Sequence, residues 1–184
     1  MPMEATRKLF TVDEYYKLAE IGVLSVCVRT ELIEGEILEM SPMGTSHAAS
    51  IARATELFIL SLRGKADVRV QLPLRLSLHS EPEPDVCIVK PRLDRYGTHH
   101  PGPDDVLLVL EISDSSLRYD RDVKLPIYAA AGVAEVWIED LPNQTLHVFR
   151  EPHGSGYTTA LQFRSDESVS PLAFPEIAFT VSAL

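Results

Sequence analysis

Cysteine is scarce in this chain. Only Cys27 and Cys87 occur among 184 residues, which gives neither a disulfide framework nor the spaced pairs of a zinc site. Cys87 lies in the apolar run VCIV and reads as a small core residue. Long apolar runs are missing as well. None exceeds VLLVL at 106–110, far short of the ~20 residues that span a bilayer. No apolar stretch backs the charges of the opening MPMEATRKLF, so no secretion leader is read there. These absences together place the chain in the cytoplasm as an expectation. Positive charge is the minority, with 17 Lys and Arg against 27 Asp and Glu, a net charge of −10 and a pI near 5.0. That balance argues against a strong non-specific grip on phosphate backbones. It leaves room for a nucleic-acid enzyme that works locally through a bound cation. Signatures of other chemistries are missing too: the chain contains no GxGxxG, GxxxxGK[ST], GxSxG or HExxH.

What is present is a globular composition, 45% apolar and 24% charged, in a length that suits one domain over residues 1–184. Thr11 and Glu14 make a capping box for a helix over 11–20, with Gly22 past its end. RTELIEGEILEM, 29–40, alternates around Gly35 and predicts a tight hairpin. A helix is expected over 45–63, capped by Thr45 or Ser46 and stopped near Gly64. DVRVQLPLRLSL, 67–78, alternates like a strand, although Pro73 implies a bulge or an edge. DVCIVK and DVLLVLEIS are the most strand-like runs and read as central strands covered on both faces. RDVKLPIYAAAG, 121–132, predicts a helix with Asp122 at its N-cap, Pro126 in its first turn and Gly132 at its end. Strands follow over 134–140, 145–150 and 157–164. The fold class is α/β, a mixed sheet flanked by helices with an extra N-terminal hairpin and extra C-terminal strands.

Two carboxylates stand out against this frame. Asp85 opens an apolar strand, sharing a face with Cys87 and Val89, and Glu111 ends one, sharing a face with Val109 and Ser113. A buried, unpaired carboxylate is costly, and two facing each other are worse unless a cation lies between them. Mg²⁺ suits such a pair, since it takes one or two carboxylates and fills its octahedron with waters and phosphate oxygens. The backbone carbonyl of Ile112 is a further candidate ligand. Lys124, on the following helix, is a candidate to position an attacking water or stabilise developing charge.

Asp85, Glu111 and Lys124 resemble the PD-(D/E)xK nuclease core. The chain is similar, more closely, to the Uma-type group of bacterial restriction endonucleases, over ELIEGEILEMSPMGTSHA, PEPDVCIV, LLVLEISDSS and YDRDVKLPIYAAAGVAEVWIED. The resemblance implies a restriction-endonuclease-like fold around a four-stranded mixed core, and a two-carboxylate site for Mg²⁺ (or Mn²⁺). It implies that Asp85 and Glu111 ligate the metal, that Glu34 of LIEGE approaches the same site, and that DNA is the partner. In the usual superfamily pattern the lysine lies two residues after the glutamate. That position is Ser113 here, so Lys124 stands in as the displaced lysine. A second departure is Ser-Asp-Ser at 113–115, where the group commonly has Ser-Pro-Ser. A homodimer is expected, pairing through the C-terminal strands.

Each residue also has an ordinary explanation. Asp85 is equally a turn cap, Glu111 a partner for Arg118 or Arg121, and Lys124 a solvated helix residue. His47 reads as a surface or packing histidine and, within the resembling block, as a group that supports a metal ligand. Gln71 is a candidate to face the site from the neighbouring strand and Tyr128 to buttress Lys124, and ordinary packing explains both as well. Lys90, Arg92 and Arg95 form either a basic rim or a solvated loop. The rival functions are a non-catalytic interaction or regulatory module on the same fold, and a hydrolase of a smaller phosphoester.

Overall fold

The computed structural model describes residues 6–25 and 27–184. The leader reading concerned the extreme N-terminus, and the first five residues lie outside this range. The capping box forms as expected: Thr11 Oγ1 accepts from the Glu14 N–H at 3.2 Å, and Glu14 accepts from the Thr11 N–H at 2.9 Å. It opens helix α1, Val12–Glu20, and Gly22 at φ 76 follows. Strands β1, Thr30–Ile33, and β2, Glu36–Glu39, form the hairpin. Its two loop residues, Glu34 and Gly35, both have positive φ, 49 and 82, which is the twist that joins short antiparallel strands. Position 35 must be glycine on a second ground, because a Cβ there would lie 2.6 Å from Leu9 Cβ.

Helix α2, Thr45–Ser61, buries Ser50, Ile51, Ala54 and Phe58 as one stripe. Gly44 occupies its N-cap without a side-chain bond, contrary to the expected Thr45 or Ser46 cap. Ser46 donates instead to Asp114 at 2.8 Å, tying the helix start to the loop after the Glu111 strand. Strand β3, Asp67–Val70, is shorter than the alternation over 67–78 implied. Gln71 turns to φ 49 and Pro73 supplies no N–H, so the ladder stops and the chain bends.

The main sheet runs β3–β4–β5–β6–β7–β8, with β4 Val86–Val89, β5 Val106–Ser113, β6 Glu135–Asp140, β7 Thr145–His153 and β8 Gly156–Arg164. Only the β5–β6 pair is parallel, and that geometry requires a crossover. The crossover supplies the helical segment: α3 Leu117–Tyr119, a π-helical turn Asp120–Lys124, and α4 Leu125–Ala130. The helix therefore starts before the expected 121, and Asp122 caps nothing. Its end is as expected, with Gly132 at φ 83 and the Val133 and Gly132 N–H groups returning to Tyr128 and Ala129. Strands β9, Ser168–Val169, and β10, Phe179–Thr180, form a small separate pair.

Alternation along β4 and β5 divides the core. Val86, Ile88, Leu108, Leu110 and Ile112 face α2 with Phe58 and Trp137. Cys87, Val89 and Val109 face the crossover with Tyr128 and Ile138. By the same period of two, Asp85 and Glu111 fall on the crossover face, one at the entry of β4 and one near the exit of β5. Among the described residues no helix is long and apolar enough to cross a membrane.

Candidate metal and catalytic site

The antiparallel pairing of β4 with β5 brings Asp85 and Glu111 together. The Asp85 N–H donates to Glu111 Oε2 at 3.3 Å. Three groups fix the Asp85 carboxylate: Ile112 N–H donates to Oδ2 at 2.9 Å, His47 Nε2 lies 2.9 Å from the same oxygen, and Gln71 Nε2 donates to Oδ1 at 3.2 Å. The bend at Gln71 that ends β3 thus aims its amide at the site, and its non-glycine positive φ is strain located where it orients a functional group. Burial alone would raise the Asp85 carboxyl. The His47 hydrogen bond and charge, with the Ile112 N–H, outweigh it and hold the group below its ordinary range. His47 moves the opposite way, raised chiefly by its bond to Asp85.

Glu111 is 2% exposed. Tyr128 donates to its Oε1 at 2.5 Å, and Lys124 Nζ lies 3.1 Å from the same atom. Burial pushes the Glu111 carboxyl up to about 8, against the opposing pull of Lys124. Lys124 itself is 3% exposed; burial works against its charge, but Glu111 and Glu31 outweigh that and raise it. The π turn places Asp120 and Lys124 inward together, an irregularity that recurs at functional sites.

Glu34, expected to approach this cluster, is exposed at the hairpin turn, where its N–H donates to Ser80 Oγ at 3.0 Å. Glu31, three residues earlier, arrives in its place. It is fully buried, its Oε1 lies 3.1 Å from Lys124 Nζ and accepts from the Glu83 N–H at 3.0 Å, and its Oε2 is buried without a partner. The signal was readable. A two-residue Glu-Gly turn assigns Glu34 to the loop and puts Glu31 and Ile33 on one strand face. Asp120 carried no such signal. It accepts from Ser113 and Ser116 at 2.6 Å each, and burial raises its carboxyl. Ser113, at the position where the superfamily pattern has lysine, therefore holds an acid that the crossover brings in. Arg92 pairs with Asp94, and Arg95 with Asp67, so two of the three residues weighed as a basic rim or a solvated loop are neutralised locally.

The site holds four buried carboxylates, Glu31, Asp85, Glu111 and Asp120, beside buried Lys124 and partly buried His47. That surplus of negative charge, with the orphaned Glu31 Oε2, fits a cation of the hard, oxygen-seeking kind. Among the described residues no three His, Cys, Asp or Glu side chains converge as a ready-made cage. The donor set suits an ion that takes two carboxylates and completes its shell with water or substrate oxygens.

Comparison with known proteins bears on this geometry. The family model described as "Uma2: Putative restriction endonuclease" matches residues 12–182. Among solved structures, the chain is similar to a putative nuclease belonging to DUF820 from Anabaena variabilis ATCC 29413, at 19% identity and a TM-score of 0.72, over 95% of this chain and 96% of that one. The likeness shows a shared restriction-endonuclease-like fold. A search of the curated proteins gave no match.

Proposed function

From the premise that this chain belongs to the Uma2 family of putative restriction endonucleases, we propose that it is a divalent-cation-dependent endonuclease that hydrolyses phosphodiester bonds in DNA. The observation that carries the reading is the buried, over-negative cluster in which Asp85 and Glu111 meet beside Lys124. Asp85 and Glu111 would hold Mg²⁺ or Mn²⁺. The Ile112 carbonyl would assist, since the N–H and C=O of an extended residue address the same neighbour and its N–H already meets Asp85. Such a cation, when bound, lowers the pKa of a water and neutralises charge developing on the phosphodiester.

The remaining work falls to side chains. His47 and Gln71 lock both Asp85 oxygens, and Tyr128 locks Glu111. Lys124 donates to Glu31 at 3.1 Å and lies at ion-pair distance from Glu111, and its remaining donor capacity would serve the attacking water or a phosphate oxygen. Glu31, rather than Glu34, is the acid that sets the lysine. We take residues 1–184 to act as one domain in the cytoplasm, to which two free cysteines are suited. We take it to be a homodimer, for which the unpaired outer edge of β8 offers a surface.

One observation favours the rival, a non-catalytic module. Lys124 closes Glu31 and Glu111 into ion pairs, as a purely structural network would. Calorimetry of Mn²⁺ binding separates the two, comparing wild type with a folded Asp85→Ala, Glu111→Ala double variant. The nuclease reading expects binding by the wild type and none by the variant. No binding by the wild type, even with a DNA duplex present, would leave the carboxylates structural.

A further inference from the structure

A cavity of about 200 Å³ opens between helix α1 and the segment that leads into β4. Its walls continue the segments that carry the site: Thr30 precedes Glu31, Glu83 lies two residues before Asp85, and Pro73 two after Gln71. Glu83 ties this wall to the acid cluster, because its N–H donates to Glu31 Oε1 at 3.0 Å. Helix α1 supplies the opposite wall through Tyr15 and Tyr16, whose ring centroids lie 5.7 Å apart edge to face.

The polar lining is one-sided. Glu81 is 2% exposed. Its Oε1 accepts from the Tyr16 hydroxyl at 2.6 Å, and its Oε2 is buried with no partner. Two of the nearby donors are already engaged: the Tyr15 hydroxyl contacts Thr30 O at 2.9 Å, and Arg29 pairs with Glu83 at 2.7 Å. A cavity of this kind disfavours anions and groups that offer only acceptors. It suits a flat ring with N–H donors on its edge, because tyrosine faces stack on bases and a carboxylate accepts from the amino group of cytosine.

We propose that this cavity receives an unpaired nucleobase bearing an exocyclic amine. Glu81 accepts from the amine, the tyrosines pack against the ring, and the adjoining phosphate reaches Asp85 and Glu111. The inference rests on the nuclease reading and deepens it, making the substrate a nucleic acid with an unpaired base beside the scissile phosphate. Bases with an amino group are preferred to thymine and uracil, whose edges place carbonyl oxygens against the carboxylate.

Ligand-observed NMR with free nucleosides in the presence of chelator tests this without cation, phosphate or catalysis. 2′-Deoxycytidine and 2′-deoxyuridine differ in the 4-amino group and in protonation at N3. Wild type should bind the first at least about tenfold more tightly. Glu81→Gln, which offers a donor as well as an acceptor, should erase the difference. Leu24→Trp fills the cavity from its apolar wall without touching the carboxylate, and should abolish binding of both. Equal affinities in the wild type, no binding of either nucleoside, or unchanged deoxycytidine binding by Leu24→Trp overturns the proposal. Failure of the nuclease reading looks different: Mn²⁺ binding is missing while the nucleoside preference persists.

Discussion

Replacing Lys124 by methionine removes a buried cation from the site and keeps most of its bulk. Its Nζ lies 3.1 Å from Glu31 Oε1 and 3.1 Å from Glu111 Oε1, so the two oxygens are no more than about 6 Å apart. Two unit charges at that distance and an effective dielectric of ~20 repel by roughly 3 kcal/mol. Removing one partner of a buried ion pair costs ~3–5 kcal/mol in measured cases. We expect a loss of that size near pH ~9, equivalent to a fall in Tm of roughly 6–20 °C for a chain of this length. Protonation relieves the repulsion at lower pH. Burial raises the Glu111 carboxyl in the folded protein from 4.5 to about 8, so the folded state binds this proton more tightly than the unfolded state. The stability it confers is present below the ordinary value and is lost as pH rises through about 8. Lys124 opposes that rise, and its removal moves the folded value higher and deepens the loss. Urea melts with chelator present should show a small gap between variant and wild type near pH ~5 and the widest gap near pH ~9. A variant as stable as wild type near pH ~9, or a gap that ignores pH, refutes the assignment of Lys124 as the compensating charge.

Three further outcomes follow from the same geometry. Glu31→Gln should weaken Mn²⁺-dependent cleavage at least tenfold by releasing Lys124, whereas Glu34→Gln, at the exposed turn, should change cleavage less than about twofold and stability by under ~0.5 kcal/mol; matched kinetics of the two variants check the reassignment. His47→Ala should cost about 10- to 100-fold in Mn²⁺ affinity, read by calorimetry, because it frees Asp85 Oδ2 from its side-chain partner. Phe58→Ala, on the opposite sheet face, should destabilise by ~3–5 kcal/mol in denaturant melts and leave metal affinity per folded molecule unchanged.

Much of this arrangement was legible in the residue order, and the limits are physical. The two central strands announced themselves through continuous Val, Ile and Leu, and parity set Asp85 with Cys87 and Val89 and Glu111 with Val109, whereas the β4–β5 register made those two faces one. The capping box at Thr11 and the Gly132 stop are local signals, and local hydrogen bonds realised them. Alternation over 67–78 overstated β3, because a pattern of side chains does not report the backbone turn at Gln71. The crossover helix began earlier than Asp122 suggested because tertiary contacts set its start, with Ser113 and Ser116 both holding Asp120. Glu31 was passed over for Glu34 within a crowd of glutamates, although the turn chemistry of Glu34-Gly35 distinguishes them. The pairing of Ser50 with buried Glu139 at 2.5 Å had no sequence signal, since 89 residues separate the partners.

The central claim is that Asp85 and Glu111 support cation-dependent cleavage of a phosphodiester. Incubation of purified protein with supercoiled plasmid DNA in Mg²⁺, in Mn²⁺ and in chelator tests it most directly, alongside Glu111→Ala shown by circular dichroism to be folded. The account predicts nicked and linear DNA with either cation, and none with chelator or with the variant. Cleavage that persists in chelator or in Glu111→Ala, or intact plasmid with the folded wild type under every cation, contradicts it.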